Sequence, residues 1–128
     1  MSTRLDRFRS RPHPAGRGRS AEDDAVGWLE RQGYRPIARN ARTAAGEIDL
    51  VAEDDGTLCF VEIKARATVE FGPAVEAVGA AKQRRLRRAA SLWLAMHPAD
   101  VPCRFDVLGL DAGPDGWEFT LVRDAFRG

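Results

Sequence analysis

Residues 46–66 read GEIDLVAEDDGTLCFVEIKAR, two short apolar runs with charges set inside them. Glu47, Asp49, Glu62 and Lys64 stand among Ile, Leu, Val and Phe. A charge removed from water is costly unless it is paired, hydrogen-bonded or bound to a metal. The stretch is therefore either a salt-bridged core or a site. Asp54, Asp55 and Gly56 between the runs are a hairpin signal, so the runs pair as antiparallel strands. Side chains alternate along a strand. Glu47, Asp49 and Val51 then share one face, with Ile48, Leu50 and Ala52 on the other. Phe60, Glu62 and Lys64 share a face opposite Cys59, Val61 and Ile63. Counting outward from the turn sets Asp49 across from Glu62 or one step off.

Working outward, Ser20 caps a first helix, with Asp23 completing a capping box. Ala21, Ala25, Val26, Trp28 and Leu29 form its apolar stripe, and Gly33 ends it. Strands follow over 34–42, 47–53 and 58–66. A loop over 67–73 leads to a long helix over about 74–97, closed by Pro98. Strands over 104–111 and 117–122 complete an αβββαββ order, an α/β fold with a mixed sheet flanked by helices. Residues 1–19 hold six Arg with Pro and Gly and no apolar period. They read as a disordered basic arm before a single domain over 20–128.

The net charge is only +1, so no global field marks a polyanion binder. Of 20 basic residues only Lys64 and Lys82 are lysine. Cys59 and Cys103 fall in apolar runs without metal-ligand spacing, and read as buried free thiols of a reducing cytoplasm. The N-terminus has no apolar signal region. No stretch approaches the roughly 20 apolar residues of a membrane span.

The carboxylates carry the chemistry. Two acids at a few ångströms repel, and one pKa rises unless a cation sits between them. Lys64 supplies one charge, and a divalent ion would supply the rest. Mg²⁺ takes one or two protein carboxylates together with water and phosphate oxygens, and the Ile63 carbonyl is a further candidate ligand. Neutral isosteres at Asp49 and Glu62 should then relieve repulsion in the metal-free protein. Glu22 shares the buried stripe of the first helix with Val26 and Leu29. Lys82, with Gln83 beside it, caps the Leu86–Ala89–Trp93 face of the long helix. The run KQRRLRR over 82–88 offers Lys82, Arg84, Arg85, Arg87 and Arg88 as phosphate contacts.

Asp49 followed by Glu62-Ile63-Lys64 resembles the D…(D/E)xK signature of the restriction-endonuclease-like nuclease superfamily, whose core is similar in order. More closely, GRSAEDDA, ARNARTAAGEIDLVA, CFVEIKAR, FGPAVEAV and RFDVLGL resemble the YraN family of small uncharacterised bacterial proteins, over roughly residues 16–110. That family is similar in turn to archaeal Holliday junction resolvases. The resemblance implies metal ligation by Glu22, Asp49 and Glu62, and a catalytic lysine at Lys64. One departure is Ile48, where the superfamily signature has proline. The reading is a cytoplasmic, Mg²⁺- or Mn²⁺-dependent endonuclease acting on DNA, with branched DNA as one substrate. Gln83 and Lys82 would orient the site. Resolvase-like nucleases often act as homodimers, and no membrane partner is expected. The alternative is a catalytically inactive module on the same fold that binds nucleic acid or a protein.

Overall fold

The computed structural model describes residues 4–9, 20–66 and 78–127, the first group through its backbone. The element order is β1 (Arg4–Arg9), α1 (Ala21–Arg31), β2 (Arg35–Thr43), β3 (Gly46–Asp54), β4 (Thr57–Arg66), α2 (Ala80–Met96), β5 (Cys103–Gly113) and β6 (Gly116–Phe126). From α1 onward this is the expected αβββαββ. The strands form one sheet in the order β1-β6-β5-β4-β3-β2. β4 and β5 are parallel, and all other pairs are antiparallel. Parallel neighbours require a crossover connection, and α2 lies in it.

Local chemistry fixes the element ends. The Ser20 hydroxyl accepts from the Asp23 N–H at 3.1 Å, and the Asp23 carboxylate accepts from the Ser20 N–H at 3.2 Å. Asp54 pairs with Thr57 across a two-residue turn in which Asp55 and Gly56 both have positive φ, 50° and 82°. That is the turn whose twist matches a hairpin. Packing then builds two layers on the sheet. Ala25, Val26, Trp28 and Leu29 of α1 cover Leu50, Ala52, Val61, Leu108 and Leu110 on one face. Leu86, Ala89, Ala90 and Trp93 of α2 cover Ile48, Val51, Leu58, Phe60 and Phe105 on the other. Each large apolar side chain so buried contributes about 1.5–3 kcal/mol. These two faces, rather than the caps, hold the fold.

Four expectations need correction. Residues 4–9 of the basic arm form β1, paired antiparallel along β6 from Arg4↔Arg123 to Arg9↔Glu118. An open sheet edge offers unpaired N–H and C=O groups to any extended segment, and this pairing needs no apolar period. The rest of the arm, like the 67–73 loop and residues 74–77, lies outside the described residues. The long helix begins at Ala80, after an extended Gly79 that contributes no side-chain cap. Cys103 is exposed and only Cys59 is buried, although both thiols are free. Glu47 is exposed, so three of the four charges in the opening stretch turn inward and not four.

Candidate functional site

The site forms where β3 and β4 part. Their register runs from Asp54↔Thr57 to Leu50↔Val61 and stops there. Extended by one step it would set Asp49 opposite Glu62. Instead the Asp49 side chain enters the gap, and its Oδ2 accepts from the Ile63 backbone N–H at 2.8 Å. On the outer side, Arg39↔Leu50 and Ala41↔Ile48 bracket Asn40, which adopts φ +50°. Asn tolerates this left-handed conformation, which bends a strand. The bend shows in the packing. Ile48 and Val51 both join the α2 cluster, and Ala38 and Ala41 pack against it, a spacing of three where strict alternation gives two. The expectation that Ile48 shares a face with Leu50 is therefore incorrect. The same irregularity aims Asp49 between the strands.

Both helices bring their first turns toward this gap. From α2, Lys82 Nζ stands 2.5 Å from Glu62 Oε1. The Glu62 side chain is 5% exposed and that of Lys82 29%. The cation on Glu62 is thus Lys82, and not Lys64 as the sequence suggests. Lys64 is half-buried two residues further along β4. From α1, Glu22 lies close enough to Asp49 to disfavour its charge. Glu22 Oε1 is buried without a hydrogen-bond partner among the described residues. Its nearest cation is Arg39, with Nη2 at 3.8 Å, and that guanidinium is held more closely by Asp23 at 2.7 Å.

Asp49 carries the electrostatic signature. Burial first, and then the negative charge of Glu62, push its carboxyl up to about 7, against the Ile63 N–H bond that favours the anion. A carboxyl raised toward neutrality beside other acids is a mark of functional sites. Among the described residues, no three His, Cys, Asp or Glu side chains are gathered as a metal cage. The donor set is instead an Asp–Glu pair with a third carboxylate nearby. That suits an ion which keeps several waters and takes one or two carboxylates.

The other predicted residues disperse. Gln83 donates to the Val78 carbonyl at 3.2 Å and borders a cavity of about 150 Å³ with Val107, Val122, Ala125 and Phe126. Arg85 reaches the Glu47 carbonyl at 3.5 Å over Gly46, where a Cβ would stand 2.6 Å from its Nη1. Arg87 donates to the Arg127 carbonyl at 3.4 Å. Arg84 and Arg88, one helical turn apart, are exposed. They are the members of the basic run free to meet a phosphate backbone.

Sequence reasoning missed a second buried acid. Asp106 is fully buried on β5. It accepts from the Tyr34 hydroxyl at 2.7 Å, from Arg104 Nε at 2.9 and 3.1 Å, and from the Asp124 N–H at 2.9 Å. Arg104 also holds Asp54 at 2.5 Å, and Arg123 approaches Asp54 at 3.4 Å. Burial and the Asp106 charge push the Tyr34 hydroxyl far up, so it stays a donor. Burial works against the Arg104 charge, and its bonds to Asp106 and Asp54 outweigh it. The available signal was a charge inside the apolar run FDVLGL over 105–110.

A model of the uncharacterised protein family UPF0102 matches residues 21–110, which hold both helices and the acid-bearing strands β3 and β4. The chain belongs to UPF0102. A UPF0102 protein of Symbiobacterium thermophilum is 50% identical over 112 residues, 86% of this chain and 95% of its own length. One of Halorhodospira halophila is 47% identical over 118 residues, covering 92% and 93%. One of Ralstonia nicotianae is 48% identical over 122 residues, covering 91% of each. This UPF0102 chain has, among its described residues, no helix long and apolar enough to cross a membrane.

Proposed function

We propose that this UPF0102 protein is a cytoplasmic, Mg²⁺- or Mn²⁺-dependent endonuclease that hydrolyses DNA phosphodiesters, branched DNA included. The observation that carries the reading is the buried Asp49 carboxyl set against Glu62, which with burial raises it to about 7, near a Glu22 Oε1 that is buried without a hydrogen bond among the described residues. Acids crowded with too little positive charge describe a cation site better than a core. Asp49 and Glu62 would hold the ion, with the Ile63 carbonyl as a further ligand and Glu22 reaching it directly or through water. When bound, the ion supplies Lewis acidity that draws charge from the phosphodiester as it reacts. The Ile63 N–H fixes the Asp49 carboxylate in one orientation. Lys64 lies beyond Glu62 on the same strand, where its ammonium can orient the attacking water and stabilise developing negative charge. Gln83 is left out of this machinery, because its amide is engaged by Val78. Arg84 and Arg88 bind the DNA backbone from α2. A homodimer, as among resolvase-like nucleases, would present two such sites to a branched substrate.

The test is cleavage of a four-way junction and of linear duplex DNA in Mn²⁺ and in EDTA. The reading expects metal-dependent cleavage that Asp49→Asn and Lys64→Met each abolish. A second reading, a catalytically inactive module that binds nucleic acid or a protein, is favoured by the absence of a preformed three-ligand cage among the described residues. It expects DNA binding equal in Mn²⁺ and EDTA, with no cleavage.

A further inference from the structure

Lys82 occupies an unusual place for a lysine. It is the third residue of α2, whose first turn has no acidic residue and whose N-cap, Gly79, makes no side-chain bond. A helix N-terminus carries partial positive charge and disfavours cations. The contrast with α1 is direct, since its first turn holds Glu22, Asp23 and Asp24 and a complete capping box. What holds Lys82 there is Glu62 at 2.5 Å, an acid almost wholly removed from water. Glu62 is also one of the two carboxylates that the proposed function assigns to the metal. A divalent ion that takes this carboxylate must compete with the ammonium already on its Oε1.

We propose that Lys82 is the resident counter-ion of the metal-free site, and that divalent ion and Lys82 ammonium exchange on Glu62. This rests on the metal-site reading given above. Before the ion arrives, Lys82 compensates the buried Glu62 charge and keeps the strand end ordered. Once the ion takes Glu62, the ammonium is released at the start of α2, a position of positive potential beside the site. It is then free to contact an incoming phosphodiester anion. Ion binding and readiness for the anionic substrate become one event. Lys82 is in this sense a positioning residue, acting through Glu62 until it is released.

Two measurements on the full chain at pH 8 test the exchange. The first is calorimetric titration with Mn²⁺ of the wild type, Lys82→Met and Lys82→Arg. Removing the competing ammonium should tighten Mn²⁺ binding about tenfold in Lys82→Met, within the range typical of site–site coupling, and Lys82→Arg should stay near the wild type. A merely structural role would weaken binding in the Met variant. The second needs no variant. The chain has only two lysines, so ε-¹³C-lysine labelling gives two side-chain signals in NMR. The Lys82 signal should move to the position of a solvated lysine in step with Mg²⁺ saturation. Equal Mn²⁺ affinity in wild type and Lys82→Met, or a Lys82 signal unmoved while Mg²⁺ saturates, would overturn the exchange and leave the metal site standing. Absence of any Mn²⁺ or Mg²⁺ binding in all three proteins would overturn the metal site itself, and the exchange with it.

Discussion

Asp106 and Asp49 are two acids held within one sheet, and their surroundings are opposite. Asp106 is fully buried, yet every neighbour donates to it: a phenol, a guanidinium and a backbone N–H. Asp49 is less buried, yet its neighbours are a second carboxylate and, more distantly, a third, with one backbone N–H in compensation. A buried polar network with every member satisfied rigidifies a fold. One left short of positive charge stores repulsion, which a ligand can relieve. The difference separates a satisfied network from a candidate ligand site more sharply than burial does.

The comparison predicts opposite responses to losing the acid. Asp106→Ala should have the largest effect. It leaves the Tyr34 hydroxyl and the Asp124 N–H without their acceptor and leaves Arg104 with Asp54 alone, and breaking a buried pair on one side costs about 3–5 kcal/mol. Urea unfolding should show that loss, and a loss under about 1 kcal/mol would mean the network is not structural. Glu62→Gln is intermediate. Relief of carboxylate repulsion by itself would make the change neutral or stabilising. The Lys82 pair reverses that sign, because the change leaves a half-buried ammonium without its anion. A destabilisation on the order of 1–2 kcal/mol is expected in EDTA, discounted for the partial exposure of Lys82.

Asp49→Asn should be stabilising, and its dependence on pH is the sharper readout. A carboxyl raised in the folded state binds its proton more tightly folded than unfolded. Stability is then lost as pH climbs from the ordinary aspartate value of 3.8 through about 7. Asparagine removes that loss. The variant should exceed the wild type by about 1–2 kcal/mol at pH 8 in EDTA, well under the full linkage value after screening. The gain should shrink toward zero at pH 4.5. Thermal melts at the two pH values check it, and equal gains at both would remove the titration argument. The smallest effect on the fold belongs to Arg84→Ala with Arg88→Ala. Both side chains are exposed, so stability should change by less than about 0.5 kcal/mol. The salt slope of DNA binding should fall by roughly 0.9 for each phosphate contact removed.

Much of this was legible in the sequence, for local reasons. Ser20 with Asp23, Asp55-Gly56, and the runs flanking that turn are short-range signals, and each formed as chemistry dictates. Asp49 and Glu62 could be brought together by counting from the hairpin. Three things could not be read. The Asp106 network joins residues 54, 104, 106, 123 and 124 of three strands to Tyr34 just before β2, with no spacing rule to link them. Spacing along β4 points to Lys64 as the partner of Glu62, and only the packing of α2 against the sheet brings Lys82 to it. The face of Ile48 breaks alternation opposite a left-handed residue, Asn40, on a neighbouring strand. That break in alternation falls at the candidate site itself, and departures from local rules are expected at functional or strained places.

In the proposed function Asp49 belongs to a cation site rather than to a core. Its most direct test is NMR titration of the Asp49 side-chain carboxyl, with and without saturating Mg²⁺. The midpoint should lie near 7 without the ion and fall by at least about one pH unit with it, because a ligating carboxylate must be deprotonated. A midpoint near the ordinary aspartate value, unmoved by Mg²⁺, would contradict it.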